Sequence, residues 1–370
     1  MAEPRGSTTP AAGAQPDGDA PAPQALEEIA SLERMLRAGY CTTQVIHAAV
    51  RTGMVEALSE APADARAIAE RISGDASAVL RLLRGLVVLG LAAVDGDGRF
   101  SATPMLRWLR ADEPRSMRDA ALFLGGPAYR AWAELAGAVS DGESPFERAL
   151  GEGLWEYMAA HPEDGAAFNG AMRGLSYAVE QALAERLELG EANVIDVGGG
   201  LGHLLAALLE CNPAARGIVF DQPRLHPESE AFLRSRGLGE RCRFAGGSFF
   251  ESLPAGGDVY LLKWIIHDWA DDDCERILVR VREAIASDGR LVVLERPLPE
   301  LPELARDAAA AWPAVMADLQ MLAMSGPGAF QERTDAQYEA LLTASGFALR
   351  ERAPLAAGFV GYIAAPSATS

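Results

Sequence analysis

The stretch LLKWIIHDW, residues 261–269, begins as a buried strand and ends in a histidine, an aspartate and a tryptophan. An imidazole at a strand end, here His267, can take a proton from an acceptor near neutral pH, because its ordinary pKa lies close to that range. The same stretch carries Lys263. Of the 33 basic residues in the chain, 32 are arginine and this is the one lysine. An ammonium within an apolar run needs a partner or a ligand. A second group lies at residues 194–203, VIDVGGGLGH, where Gly198, Gly199, Gly200 and Gly202 follow Asp196. The spacing is GxGxG and position 203 is histidine. It therefore misses the dinucleotide fingerprint GxGxxG, whose third glycine lets helix and strand pack closely beside a pyrophosphate. Asp221 ends the next apolar run about twenty residues on, where a carboxylate can accept from both ribose hydroxyls. These two signals together fit adenosine without pyrophosphate. S-adenosylmethionine, an adenosine with a sulfonium charge and no phosphate, meets both.

Regular elements must position these groups. After residue 191 the runs NVIDVGGGLG, RGIVFD, RCRFAGG, DVYLLK and RLVVLER read as strands, separated by the helical runs HLLAALLEC, ESEAFLRSRG and DDDCERILVRVREAI. The alternation predicts an α/β domain over 191–370, a doubly wound, Rossmann-like parallel sheet finished by strands near FALRERAPL and GFVGYIAA. Ligands of such sheets sit beyond the carboxyl ends of the strands, where the glycines, Asp221, Ser248 and His267 all fall. Residues 25–125 read as mostly helical, with apolar residues at helical spacing in LEEIASLERML and TQVIHAAVRTGMVEAL. Within them, ADARAIAERISGDASAVLRLLRGLVVLGLAAVDGDGRFSAT gives helix, turn, helix and hairpin, the shape of a winged helix. Such a unit either reads DNA or packs subunits. Acids and arginines nearly balance there and no cluster looks like a base reader, which favours packing. A helical middle segment, 126–190, carries Phe168, Met172, Leu175 and Ala178 at intervals of three or four, a stripe that is either core or a pocket wall. Residues 1–24, rich in Pro, Ala and Gly and without hydrophobic period, read as a disordered tail.

Composition bounds what the chain binds. A net charge of -19 repels a phosphate backbone and an anionic bilayer, so neither nucleic acid nor membrane is an expected partner. No run approaches the ~18 apolar residues of a membrane span, and the N-terminus lacks the parts of a signal peptide, so a cytoplasmic location is expected. Cys41, Cys211, Cys242 and Cys274 form no CxxC pair and no zinc spacing with histidine. They read as small buried residues with free thiols, and no metal site is expected.

The segments VIDVGGGLGHLLAALLECNPAARGIVFDQP, RFAGGSFFESLPAGGDVYLLKWIIHDWADDDCERIL, LVVLERPLP and QERTDAQYEALLTASGF resemble the S-adenosylmethionine-dependent O-methyltransferases of the plant caffeate-type family and its bacterial antibiotic-tailoring relatives. The resemblance runs through nearly the whole chain after the tail. It implies a winged-helix-like dimerisation domain, hence a homodimer, and a small aromatic acceptor methylated on a phenolic or enolic hydroxyl. It implies that His267 is the general base, with Glu295 in LERPLP and Glu332 in QERT orienting the ring and holding its charge. Asp268 is a weaker candidate, because neighbouring side chains on extended chain point apart. The resemblance further implies a cofactor site from Gly198, Gly200, Gly202, Asp221, Gly247, Ser248, Phe249 and Lys263. Phe168, Met172, Trp264, Met321 and Met324 are the implied acceptor site. Two features depart from the family pattern. Gly247-Ser248-Phe249-Phe250 stands where Gly-Asp commonly precedes two large residues, and PLPELPELARDAAAAWP reads as a long acidic linker beside the acceptor pocket. His47, His161, His203 and His226 have no partner that sequence identifies. Two other readings stand beside this one: a relative that binds S-adenosylmethionine but hydroxylates, decarboxylates or assists cyclisation, and a winged-helix DNA-binding regulator.

Overall fold

The structure, a computed structural model, describes residues 23–328 and 330–367. The expected disordered tail, 1–24, lies outside the described residues except for Pro23 and Gln24, which open the first helix. That helix, α1 (Pro23–Arg51), ends just before Gly53, whose φ of 74° turns the chain into α2 (Met54–Glu60). Glycine adopts this left-handed conformation without the Cβ clash that other residues meet. Helices α3 (Ala65–Arg71) and α4 (Ala76–Val88) begin on Asp64 and Asp75, whose carboxylates accept from the N–H groups of Ala67 and Ala78. Each such cap contributes about 1 kcal/mol. Strands β1 (Ala92–Val94) and β2 (Phe100–Ala102) form the hairpin that completes the winged-helix order. Leu83, Leu86, Leu91 and Phe100 belong to a core that this part closes for itself.

Short helices α5 (Arg118–Gly125), α6 (Pro127–Trp132), α7 (Leu135–Asp141), α8 (Pro145–Leu150) and α9 (Leu154–Ala160) lead to the long α10 (Pro162–Arg186). The alternating part follows: β3 (Asn193–Val197), α11 (His203–Cys211), β4 (Arg216–Asp221), α12 (His226–Ser235), β5 (Cys242–Gly246), β6 (Val259–Lys263), α13 (Asp271–Ala284) and β7 (Arg290–Glu295). Last come α14 (Leu301–Arg306), α15 (Ala308–Ser325), α16 (Asp335–Ala344), β8 (Phe347–Pro354) and β9 (Val360–Pro366).

The seven strands lie in the order β5-β4-β3-β6-β7-β9-β8. Strands β3 to β7 are mutually parallel, as the alternation predicts, but β9 runs antiparallel to β7 and β8 antiparallel to β9. Residues 355–359 alone join that last pair, too few for the dozen or more that a parallel crossover needs. Both faces of the sheet are covered, and side chains alternate between them. Val194, Val259, Leu261, Val292 and Leu294 join the core with α11, while Ile195, Val197, Tyr260, Leu262, Leu291 and Val293 join the core with α13 and α16.

Two expectations are corrected here. The acidic linker after Glu295 is largely helical: Glu300 and Glu303 form a reciprocal capping box that starts α14, and α15 begins at Ala308 and continues through Pro313. Of the cysteines, Cys242 and Cys274 are buried but Cys41 and Cys211 are exposed. Among the described residues, no helix is long and apolar enough to cross a membrane.

Candidate active site

Strand β3 has β4 on one side and β6 on the other, so the strand order reverses there and a crevice opens beyond the carboxyl ends. A cavity of about 410 Å³ occupies it. The turn after β3 supplies Gly198, Gly199 and Gly200, and the end of β6 supplies Lys263, Trp264, His267 and Asp268. All five expected acceptor residues, Phe168, Met172, Trp264, Met321 and Met324, line the same cavity. The stripe on α10 is therefore a pocket wall at Phe168, Met172 and Leu175. Phe168 meets Phe123 and Trp155 edge to face, at centroid distances of 5.2 and 5.7 Å, the geometry that ring quadrupoles favour.

His267 is reached through an unusual backbone. Trp264 has a φ of 54°, rare for a bulky residue, and the chain then closes a 3-10 turn, Ile266–Asp268. Glu295 Oε1, at the end of β7, accepts from the N–H groups of Ile265 and Ile266 at 3.2 and 3.0 Å. Glu332 Oε1 accepts from His267 Nδ1 at 3.1 Å, whereas the nearest Glu295 oxygen lies 3.8 Å from that nitrogen. The two acids therefore divide the work: Glu332 holds the ring and Glu295 holds the turn that carries it. Asp268 is closer than expected, with Oδ1 at 3.4 Å from Nε2. The extended-chain argument fails because the pair sits on a 3-10 turn, where successive side chains are not opposed. Since carboxylates only accept, Nδ1 donates to Glu332, and Nε2 is the nitrogen nearest Asp268.

Burial alone would depress the His267 pKa, but Glu295, Glu332 and Asp268 outweigh it and push the ring up to about 10. Burial pushes Glu295 up to about 8 and Asp268 up to about 6, each opposed by the charge of His267. The donor atoms of His267, Glu295 and Glu332 also lie within 4.8 Å of one another, a spacing that could hold a cation and that sequence distance had hidden. Glu295 Oε1 is taken by two N–H groups and Glu332 Oε1 by the ring, while Oε2 of each acid is buried with no partner among the described residues.

At the other end, positive φ at Gly198, Gly200 and Gly202 (69°, 59° and 92°) wraps the turn under the cavity. A Cβ on Gly198 would stand 2.3 Å from Ile265 Cδ1, and one on Gly202 2.6 Å from Val219 Cγ2. A Cβ on Gly200 would meet nothing within 4 Å, and Gly200 lines the cavity. Asp221 accepts from the N–H groups of Gly200 and Gln222 at 2.8 and 2.6 Å. Lys263 pairs with Glu180 of α10 at 2.6 Å, and both line the cavity. Asp196 is buried there with Oδ2 unpartnered among the described residues, and burial pushes it up to about 7. Unsatisfied carboxylate oxygen beside an open glycine turn fits a cationic, adenosine-bearing cofactor. Gly202, Asp221, Gly247, Ser248 and Phe249 are not among the cavity-lining residues. Gly247 donates its N–H to Asp221 O, the Ser248 hydroxyl accepts from Phe250 N–H, and the Phe249 ring packs on Phe250 and Trp269.

Sequence reasoning missed several groups. His203 lines the cavity with Nε2 buried and without a partner among the described residues, and burial depresses its pKa to about 4. Glu180 lies in the middle of α10 with no local signal. Arg333, among the largest wholly buried side chains, donates to the carbonyls of Ile266 and Trp269 and to Asp271, clamping the Glu332 segment to the His267 turn. Gln331 N–H adds a bond to His267 O at 2.8 Å. The only sequence cue was a charged pair, Glu332-Arg333, just before a capping-box threonine.

A winged-helix-like part followed by a Rossmann-like sheet, with a histidine and two buried acids over a glycine turn, defines a nucleoside-cofactor transferase class. Residues 34–112 match the O-methyltransferase dimerisation domain and residues 132–348 the O-methyltransferase domain. The chain belongs to this family of S-adenosylmethionine-dependent O-methyltransferases. It is 36% identical over 331 residues to the phenazine O-methyltransferase PhzM of Lysobacter antibioticus, covering 89% of this chain and 94% of that protein. It is 35% identical to the mitomycin biosynthesis 6-O-methyltransferase of Streptomyces lavendulae, over 86% of this chain and 89% of that one. An O-methyltransferase from neocarzinostatin biosynthesis, solved with S-adenosylmethionine and 2-hydroxy-5-methyl naphthoic acid, superposes with a TM-score of 0.73 at 28% identity, over 88% of this chain and 96% of that one.

Proposed function

We propose that the chain methylates a phenolic or enolic hydroxyl of an aromatic natural product, with His267 as general base. The observation that carries this reading is the His267 ring itself, with Nδ1 held by Glu332 at 3.1 Å and the residue lining an aromatic-walled cavity. Proton transfer from a phenol of pKa ~10 to an ordinary imidazole of ~6.5 is uphill by roughly 5 kcal/mol. A ring raised to about 10 removes that difference, but such a ring is charged at neutral pH, so the base acts from its deprotonated form, whose share grows as pH rises. S-adenosylmethionine supplies an electrophilic methyl group when bound. The deprotonated ring would take the acceptor's O–H proton at Nε2, while the bound cofactor would give its methyl group to the acceptor oxygen and leave as the neutral thioether. Glu332 holds the charge left on the ring. Trp264, nearly parallel to the imidazole at 8° and 6.1 Å, and Phe168, Met172, Met321 and Met324 hold a flat acceptor against it.

For the cofactor, Gly198, Gly200 and Gly202 form the cradle, Asp221 is poised for the ribose, and Gly247, Ser248 and Phe249 lie next along the sheet for the adenine. Lys263, oriented by Glu180, faces the amino-acid end. The enzyme is a homodimer: Leu26, Ile29, Leu32, Met35, Leu36 and Tyr40 leave an exposed apolar face on α1 for the partner. Free thiols and the biosynthetic role suit the cytoplasm. The test is incubation with methyl-labelled S-adenosylmethionine and a panel of polyphenols. Label on an aromatic oxygen is expected; an altered acceptor without label would overturn methyl transfer in favour of the non-methylating chemistry.

A further inference from the structure

The acceptor half of the cavity holds a polar group that the reaction does not use. Gln320, on α15 one residue before Met321, lines the cavity. Its Oε1 accepts from Trp132 Nε1 at 2.7 Å. An indole N–H can only donate, so this bond fixes which end of the amide is oxygen. The NH2 end is then turned away from Trp132. Nε2 is buried, and it has no hydrogen-bond partner among the described residues. A buried donor left unpaired is uncommon and unfavourable, and a ligand oxygen would satisfy it. The wall that carries Gln320 is fixed relative to the base, because Asp318 on the same helix accepts from Glu332 N–H at 3.1 Å.

Charge narrows the ligand group. The cavity is lined by the carboxylates of Glu180, Asp196, Asp268 and Glu332 and by the cations Arg173, Lys263 and Arg296. Lys263 is already paired with Glu180, Arg173 lies 3.4 Å from Asp119, and Arg296 donates to the Ala357 carbonyl at 3.2 Å with its guanidinium over the Phe359 ring. A neutral amide does not balance a carboxylate, and burying an unpaired anion is far more costly than burying a carbonyl. We infer that Gln320 is a specificity-determining residue. The acceptor is an aromatic ketone or quinone whose neutral carbonyl oxygen takes a hydrogen bond from Gln320 Nε2 while its hydroxyl meets His267. This deepens the proposed function and rests on its aromatic acceptor.

The experiment compares three acceptors of one ring size, hydroxyacetonaphthone (an aryl ketone), naphthol and hydroxynaphthoate, on the wild type, Gln320→Met and Trp132→Phe. Affinity for each compound is read by tryptophan fluorescence, and kcat/KM by label transfer. The wild type should prefer the ketone to naphthol, and Gln320→Met should cut that preference about 10-fold or more. Trp132→Phe, which frees the amide to rotate, should cut it less. Melting temperature and S-adenosylhomocysteine affinity of both variants identify any folding defect. A ketone-to-naphthol ratio unchanged in Gln320→Met, in binding and in turnover, would overturn the inference, as would a Gln320-dependent preference for the naphthoate. Label on none of the three would instead strike the proposed function, and the binding ratios would still decide the role of Gln320.

Discussion

At the glycine-turn end of the cavity the frame is backbone and empty volume, with three left-handed glycines, no room for Cβ at Gly198 and Asp221 holding the loop by its N–H groups, beside buried Asp196 and the Lys263–Glu180 pair. At the His267 end the working parts are buried ionisable side chains, brought together from segments 29 and 65 residues apart. One end is shaped by backbone and so is written in local spacing. The other works by charge environment, which only the tertiary structure supplies. A change at the first should therefore alter affinity and spare the proton chemistry, and a change at the second should do the reverse.

The largest break expected is His267→Ala. Turnover on a phenolic acceptor should fall by about 10²–10⁴-fold, while S-adenosylhomocysteine affinity, measured by calorimetry, stays near wild type. Equal loss of both would erase the distinction between the two ends. Next is Gly198→Ala, whose Cβ would collide with Ile265 at 2.3 Å in a left-handed turn. Strain of about 1–3 kcal/mol should weaken cofactor binding roughly 10-fold or more while leaving the pH dependence of kcat in place. A shifted pH profile would show that the ends are coupled through Ile265.

The smallest effect expected is on stability. His267 is held at about 10, above its ordinary 6.5, so its contribution is fully present below pH 6.5 and lost as pH rises through 10. Glu295, raised from 4.5 to about 8, has the same sign over a lower window. Of these two groups only the ring still titrates between pH 8 and 10, and the wild-type melting temperature should fall there more steeply than that of His267→Gln. Parallel slopes would deny the ring its raised pKa.

The same division explains what sequence could show. Spacing alone marked the glycine turn and Asp221, and periodicity marked the winged helix and the parallel strands. The resemblance brought together His267, Glu295 and Glu332, but it treated the two acids alike, because which one touches Nδ1 depends on a 3-10 turn that no periodicity announces. Asp268 was discounted for the same reason. Glu180 and Gln320 left no trace in the sequence and Arg333 only its place beside Glu332, since each acquires its role from a partner 60 or more residues away. The acidic stretch after Glu295 was misread because its prolines look like linker residues, whereas Pro302 sits in a first helical turn, where its missing N–H is no loss.

The central claim is that buried carboxylates turn His267 into a base strong enough for a phenol. NMR titration of the His267 ring, assigned through His267→Ala, tests it most directly, in the wild type and in Glu332→Gln. The wild-type ring should titrate near pH 10, and loss of the Glu332 charge should lower that midpoint by about one unit or more. A wild-type ring that titrates near 6.5, or a midpoint indifferent to Glu332, would contradict the account.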